Sequence, residues 1–453
     1  MGVQEPKATA GLDGKPGVRS PWTVFWIALF VRLAYMTLAR TWHIRPYYPY
    51  DFGFGYEMGR IARALVTGFG YADPFNGHTG PTAWVPPLYP WILAGIFRLT
   101  GVYTALSAWI VLALDCVLNA LMIPFLWEIA ERCFNRRVAL WSAWIWALYP
   151  AAMQYAVRWI WEMTLTTFLF TAVFALTLRM RNVGNRLDSP KHGSARAPSI
   201  GAWALFAFLW GLIALSDPSL CLFLPVSGIW ILGGASGRSE LARQFLYATV
   251  AALVFICCLA PWTWRNARVF HQFVPLRTNF GAELYLGNGP GATGLLMEYD
   301  HPFQAPDQLR LYKQMGEIAY CRWRGQLAKR AIAADPARFL VLSLRRVYYF
   351  WFSVPHPGSE GFTGLVNEYG RNLNYQFASI AGLFGLALAL RRRVPAAWLF
   401  LWAFLLLPLT YYFVTVHARF RHPLEPLITI LAVFLFQSAE KSWEVRWFRR
   451  REA

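Results

Sequence analysis

Residues 103–131 read YTALSAWIVLALDCVLNALMIPFLWEIAE, and the only charge between Tyr103 and Glu128 is Asp115. A helix needs about 20 apolar residues to cross the hydrocarbon of a bilayer, and this run is longer. It is therefore a spanning helix. Asp115 and Asn119 share one of its faces at i, i+4 spacing, the pattern of polar packing between helices in a membrane.

Outward from it, similar runs cover approximately 22–39, 138–156, 162–178, 200–216, 219–234, 246–263, 374–390, 396–416 and 423–439, each bounded by Pro, Gly or charge. The pattern predicts an all-α polytopic membrane protein of about ten spans. Residues 22–439 form the membrane domain, between a disordered tail (1–21) and a basic tail (440–453). Composition agrees: 57% of the chain is hydrophobic and 15% charged, against about 25% charged in soluble domains. That excludes a soluble multidomain enzyme and a disordered chain. Residues 337–354 (ARFLVLSLRRVYYFWFSV) carry Arg345 and Arg346 mid-run, which fits a helix in the membrane interface better than an eleventh span.

Lys and Arg total 43 against 24 Asp and Glu, a net charge of +19. With the N-terminus inside and ten spans, Arg132/Arg136/Arg137, the Arg179–Arg196 loop, Arg238/Arg243, Arg391–Arg393 and Arg449–Arg451 are all cytoplasmic. The short outer loops keep only Arg158, Arg419 and Arg421. Such asymmetry orients membrane proteins, so the excess is topological and no nucleic acid is implied. Both termini are expected in the cytoplasm, with the chain in the inner cell membrane. The six cysteines show no metal-ligand or disulfide spacing.

Two stretches are too long and polar to be connectors: 42–102 and 264–373, both outside in this topology. The first contains YPYDFGFGYEMGRIARALVTGFGYADP (48–74), where Met58, Ile61, Ala62 and Leu65 recur at helical spacing. An amphipathic interfacial helix is predicted over 56–67, ended by Gly68. Asp51 precedes it and Glu57 sits in its first turn. Each is read either as a cap or dipole partner or as a site carboxylate. In TGPTAWVPPLYPWILAGIFRLTG (79–101), Pro81, Pro86, Pro87 and Pro90 exclude helix before Pro90. That run is a rigid ledge or a pocket wall.

The first span with its internal Arg32, the I-A-R-x-L helix with G-x-G, the P-P-L-Y-P run, PWTWRNARVFHQFVPLRTNFGAELYLGN (261–288) and HARFRHPLEPL (417–427) together resemble the bacterial GT-C class membrane glycosyltransferases. These are relatives of protein O-mannosyltransferases and of the aminoarabinose transferases that modify lipid A. The ordered set covers almost the whole chain. The resemblance implies sugar transfer from a polyprenyl-phosphate donor to a lipid, glycan or protein acceptor on the extracytoplasmic face, usually with inversion. It also implies an acidic residue in the first outer loop as base or acceptor guide. Two departures stand out. FGFGY separates Asp51 from Glu57 where the family commonly has adjacent Asp-Glu, and Val85 replaces the lysine that aminoarabinose transferases carry before P-P-L.

The chemistry needs a carboxylate to take the acceptor proton and cations for the leaving phosphate. Glu57, Asp51 and Glu162 are the expected catalytic carboxylates, with Glu57 slightly ahead of Asp51. Arg419, Arg421, His417, Arg158 and Arg265 are the expected phosphate contacts, each arginine also readable as a snorkelling headgroup contact. Asn279, Glu283 and Asn288 are expected to meet sugar or acceptor. Asp217 reads as polar packing. No cofactor is certain and a divalent cation is left open. The competing classes are a secondary transporter or lipid flippase, which would show midplane ionisable groups and inverted repeats, and a non-catalytic membrane subunit.

Overall fold

The computed structural model describes residues 20–44, 52–184, 197–354 and 361–451. Asp51 and residues 1–19 lie outside them. Eighteen α-helices are present among the described residues. The first nine are α1 (Pro21–Leu38), α2 (Glu57–Val66), α3 (Leu88–Thr100), α4 (Ala105–Cys133), α5 (Arg136–Leu148), α6 (Pro150–Val157), α7 (Met163–Met180), α8 (Ile200–Ala214) and α9 (Leu224–Leu232). Then come α10 (Arg238–Phe270), α11 (Phe280–Asn288), α12 (Pro306–Met315), α13 (Glu317–Ala334), α14 (Pro336–Phe352), α15 (Gly361–Arg391), α16 (Ala397–Leu406), α17 (Leu409–Phe413) and α18 (Glu425–Arg451). Short 3-10 turns cover Pro218–Phe223 and Ala418–Leu424. Extended pairing among these residues is limited to one bridge, Ala72 with Pro81. The fold is all-α, as expected.

Six helical segments are long and apolar enough to cross a membrane: α1, α4, α7, α10, Glu368–Arg391 and Ala418–Ala439. Each matches one of the ten predicted runs. The other four runs are helical but shorter or broken. Pro150 divides 138–156 into α5 and α6, and Pro408 divides 396–416 into α16 and α17. A 3-10 turn opens 219–234, and α8 has 15 residues. A proline lacks the N–H that a continuous helix needs, so the chain restarts there.

Local chemistry sets the helix ends. Ser20, Thr104, Asn135, Ser199 and Asp335 each accept a first-turn backbone N–H, capping α1, α4, α5, α8 and α14. The helix predicted over 56–67 is α2, with Gly68 beyond its C-cap at φ +91°. Its apolar stripe turns to the protein itself. Met58, Ile61 and Ala62 are buried inside the protein, and α2 packs on α3. The bar on helix before Pro90 is corrected, since α3 starts at Leu88. A proline in the first turn has no hydrogen bond to lose.

α4 lies at the centre, packed on α1, α5, α6 and α7. Arg32 of α1 is fully buried there, donating to the Trp146 (3.0 Å) and Ala147 (2.9 Å) carbonyls and to Asn119 Oδ1 (2.9 Å). The C-terminal carbonyls of α5 thus meet a cation. The Tyr89 hydroxyl donates to Asp115 (3.3 Å), so Asp115 and Asn119 serve helix packing, as read.

The two long loops are locked together. Glu317 accepts from Ala83 N (2.7 Å), Thr278 Oγ1 (2.6 Å), Tyr312 Oη (2.7 Å) and the Thr82 hydroxyl. Arg265 donates to the carbonyls of Thr82 (2.7 Å) and Tyr71 (2.6 Å). This holds the proline ledge in place, and its Trp84 and Val85 face a cavity.

Candidate active site

Gly55 has φ +75°, and a Cβ there would lie 2.4 Å from the Ile160 carbonyl oxygen. Only glycine permits that approach, which brings the start of α2 against residues 160–162. Glu57 and Glu162 consequently line the same two joined recesses, of about 420 and about 90 Å³. Trp84 comes from the first long loop, and Arg277, Asn279, Glu283 and His301 from the second. Asp217, His417 and Arg419 come from short connections.

Arg419 lies 4.0 Å over the Trp161 ring and 5.2 Å from Phe420, and its Nε is buried with no hydrogen-bond partner among the described residues. A buried charged donor left unmet is costly, so this group is set to receive an anion. Arg277 donates Nε to the Trp84 carbonyl (3.2 Å) and lines the larger recess.

Burial raises Glu57, Glu162 and Glu283. The Glu57 carboxyl is pushed up by burial, with Arg419, Arg60 and Arg277 pulling it back. Its place in the first turn of α2, read as a dipole partnership, does not offset that burial. Glu162, the residue before α7, is pushed up by burial to about 7 against the pull of Arg419. Glu283 is pushed up to about 6, again by burial, and accepts from Asn279 Nδ2 at 3.2 Å. His301 is driven down to about 3 by burial, then by Arg324, so it is neutral. Its Nδ1 accepts from Phe303 N (3.1 Å), which puts the proton on Nε2, 4.0 Å from Glu57 Oε1. Among the described residues no group of three or more His, Cys, Asp and Glu is placed to hold a metal ion.

Carboxylates of raised basicity thus stand beside two guanidinium groups, one carrying an unmet donor. That combination can accept a proton and hold a phosphate in one place.

A family model described as dolichyl-phosphate-mannose-protein mannosyltransferase matches residues 84–264. The chain superposes on the Archaeoglobus fulgidus oligosaccharyltransferase tethered with an acceptor peptide at TM-score 0.53, with 14% identity, covering 94% of this chain and 50% of that one. The apo form of that enzyme gives 0.53 and 13% identity, over 95% and 52%. The fold is that of the GT-C enzymes. The chain spans about half the length of the oligosaccharyltransferase it matches. ArnT from Cupriavidus metallidurans bound to undecaprenyl phosphate scores 0.35 at 13% identity, over 92% of this chain and 77% of that one, too low to add to the fold assignment. No curated protein matches the sequence.

Within this fold, Glu57, Glu162, Asn279, Glu283, His417 and Arg419 line one cavity. Arg421 does not join them. It is wholly buried, pairs with Glu425 (2.6 Å), donates to the Tyr375 carbonyl (3.2 Å) and covers the Tyr375 ring. In a 3-10 turn, residues two apart point a third of a turn away from each other, which separates it from Arg419. Arg265 spends its donors on the Tyr71 and Thr82 carbonyls, and Arg158 is exposed and lines neither recess. Asn288 is consumed structurally: it donates to the Leu284 (2.9 Å) and Phe413 (3.0 Å) carbonyls and accepts from Arg346. These four placements correct the expected roles.

Sequence reasoning missed Arg277, His301 and Trp161. Arg277 stands two residues from Asn279 in the PLRTN stretch, a signal that was available. His301 had none. Asp217, read as polar packing, does accept from Tyr411 Oη (2.8 Å), but it also lines the cavity.

Proposed function

We propose that the chain is a membrane glycosyltransferase that moves a sugar from a polyprenyl-phosphate donor to an acceptor hydroxyl, with inversion. The acceptor is a lipid, glycan or protein. The reading rests above all on Arg419, whose buried unmet donor faces a cavity shared with Glu57 and Glu162. Arg419 and Arg277 hold the donor phosphate and stabilise the charge it gains as the glycosidic bond breaks. Glu57 takes the acceptor proton as the hydroxyl oxygen bonds to the anomeric carbon, with Glu162 as the second carboxylate of the pocket. Neutral His301 stands with its Nε2–H 4.0 Å from Glu57, and Asn279 with Glu283 meets sugar hydroxyls. In the same reading the cavity opens on the extracytoplasmic face of the inner membrane, and no step is routed through a divalent cation.

The test is purified protein with radiolabelled polyprenyl-phosphate sugars of several kinds, scored for released polyprenyl phosphate. Release that depends on acceptor and is lost in Arg419→Gln supports the reading. Absence of release from every donor, or transport of the lipid without cleavage, removes it in favour of a carrier.

A further inference from the structure

Residues 287–294 read GNGPGATG, four glycines and a proline in eight positions. Glycine loses the most conformational freedom on folding, so a stretch of this composition resists being held in one shape. Here it is held from one side by one helix. Seven of its eight carbonyls accept hydrogen bonds from three arginines of α14. Arg338 donates to Asn288 (3.4 Å), Gly289 (2.8 Å), Pro290 (3.0 Å) and Ala292 (3.1 Å). Arg345 donates to Thr293 (2.7 Å), and Arg346 to Gly294 (3.2 Å) and Gly287.

The spacing explains the grip. Arg338, Leu342, Arg345 and Arg346 stand at i, i+4, i+7 and i+8, one face of a helix. Leu342 packs with Leu286, Ala292 and Met297 between the arginines. Gly294, at φ +104°, comes so close that a Cβ there would lie 3.1 Å from Arg345 Cδ. Among the described residues the three guanidinium groups bond this segment, the Asn288 side chain and the Tyr412 carbonyl, and no carboxylate. Charged donors make the stronger hydrogen bonds, and here they are spent on backbone oxygen. Arg346, wholly buried, also meets the last carbonyls of α11, where a cation complements the helix end.

The clamped segment lies between two stretches that line the candidate site. Before it, α11 and its N-cap carry Glu283 and Asn279. After it come Leu296, Glu298 and His301. The three arginines themselves line neither recess. We infer that Arg338, Arg345 and Arg346 are positioning residues for the reaction proposed above, on which this role rests. They fix the wall that sets Asn279 and Glu283 on one side and His301 against Glu57 on the other, without touching substrate.

The experiment compares the full-length parent protein in detergent with Arg338→Gln, Arg338→Lys and, as a control for charge alone, Arg330→Gln at the exposed end of α13. Arg338 is half-buried and its side chain bonds this loop alone, so its replacement leaves the rest of the fold in place. Amide hydrogen exchange over 287–301 should quicken about tenfold in Arg338→Gln, with other segments unchanged. Turnover should fall about 10–100-fold. Binding of undecaprenyl phosphate should hold, because Arg277 is tied to the Trp84 carbonyl and Arg419 lies over Trp161. Lysine keeps the charge and three donors, so Arg338→Lys should recover part of both losses, and Arg330→Gln should match the parent throughout. Unchanged exchange in Arg338→Gln, exchange that rises equally across the whole protein, or turnover indifferent to a loosened loop would overturn the assignment. Exchange is read without substrate, so a parent protein inactive on every donor would remove the proposed function and leave the clamp to be judged on exchange.

Discussion

Glu57 and Glu162 reach the same recess from different loops, yet their surroundings differ. Glu57 opens α2 with neutral His301 4.0 Å away, whereas Glu162 lies just ahead of α7 with Asp217 raising it further. Glu57→Gln keeps the shape and removes the base, so turnover should fall by about 10²–10⁴ while donor binding holds. Single-turnover kinetics with a separate donor-binding assay checks this, and near-normal turnover would hand the role to Glu162. The pH profile is a second prediction. A base acts only when deprotonated, burial holds the Glu57 carboxyl above its ordinary range, and Glu162 beside it is protonated below about 7. The rate should therefore fall on an acid limb above the ordinary carboxylate range, which Glu162→Gln should shift. A limb near 4 in the parent protein would show that burial does not govern the site carboxyls.

At the scale of elements, the joint between the two long loops depends on one acid. Glu317 accepts four hydrogen bonds from both loops while buried, and burial pushes its carboxyl up. Hydrogen bonds to a charged group contribute about 1.5–3 kcal/mol each. Glu317→Gln keeps the volume but turns half of the acceptor into a donor facing donors. A loss of about 3 kcal/mol is expected, read as a lower midpoint of thermal unfolding in detergent, together with a weaker donor KM because Trp84 and Arg277 sit on the clamped segments. This joint was not legible in the sequence. Ala83, Thr278 and Glu317 are far apart along the chain, and no periodicity couples them. The spanning helices were legible because a membrane demands length and apolarity of each run separately. Breaks at Pro150 and Pro408 show where packing against neighbours relieves that demand. Candidate residues divided the same way. Carboxylates beside helix starts were visible from local sequence, whereas Arg421 and Asn288 were misread because their partners, Glu425 and Leu284 apart, come from distant segments.

For the whole molecule, the cavity itself constrains topology. Glu57 follows α1, Glu162 precedes α7, Asp217 follows α8, Arg277 follows α10 and Arg419 precedes α18, and all five line one recess. Each connection must therefore emerge on the same side of the membrane. The intervening turns, with Arg132 and Arg136 at the facing ends of α4 and α5, and Arg391 to Arg393 at and beyond the end of α15, then emerge on the other. This alternation is the one the arginine asymmetry favours, with the cationic side in the cytoplasm. Single cysteines at Ser236, between α9 and α10, and at Gln272, just beyond α10, bracket the prediction. In intact cells a membrane-impermeant maleimide should label Gln272→Cys and spare Ser236→Cys until the membrane is opened. Labelling of both from one side would mean that α10 does not cross, and labelling of Ser236→Cys alone would invert the protein. Inversion would place the cavity, and with it any sugar donor, on the cytoplasmic side.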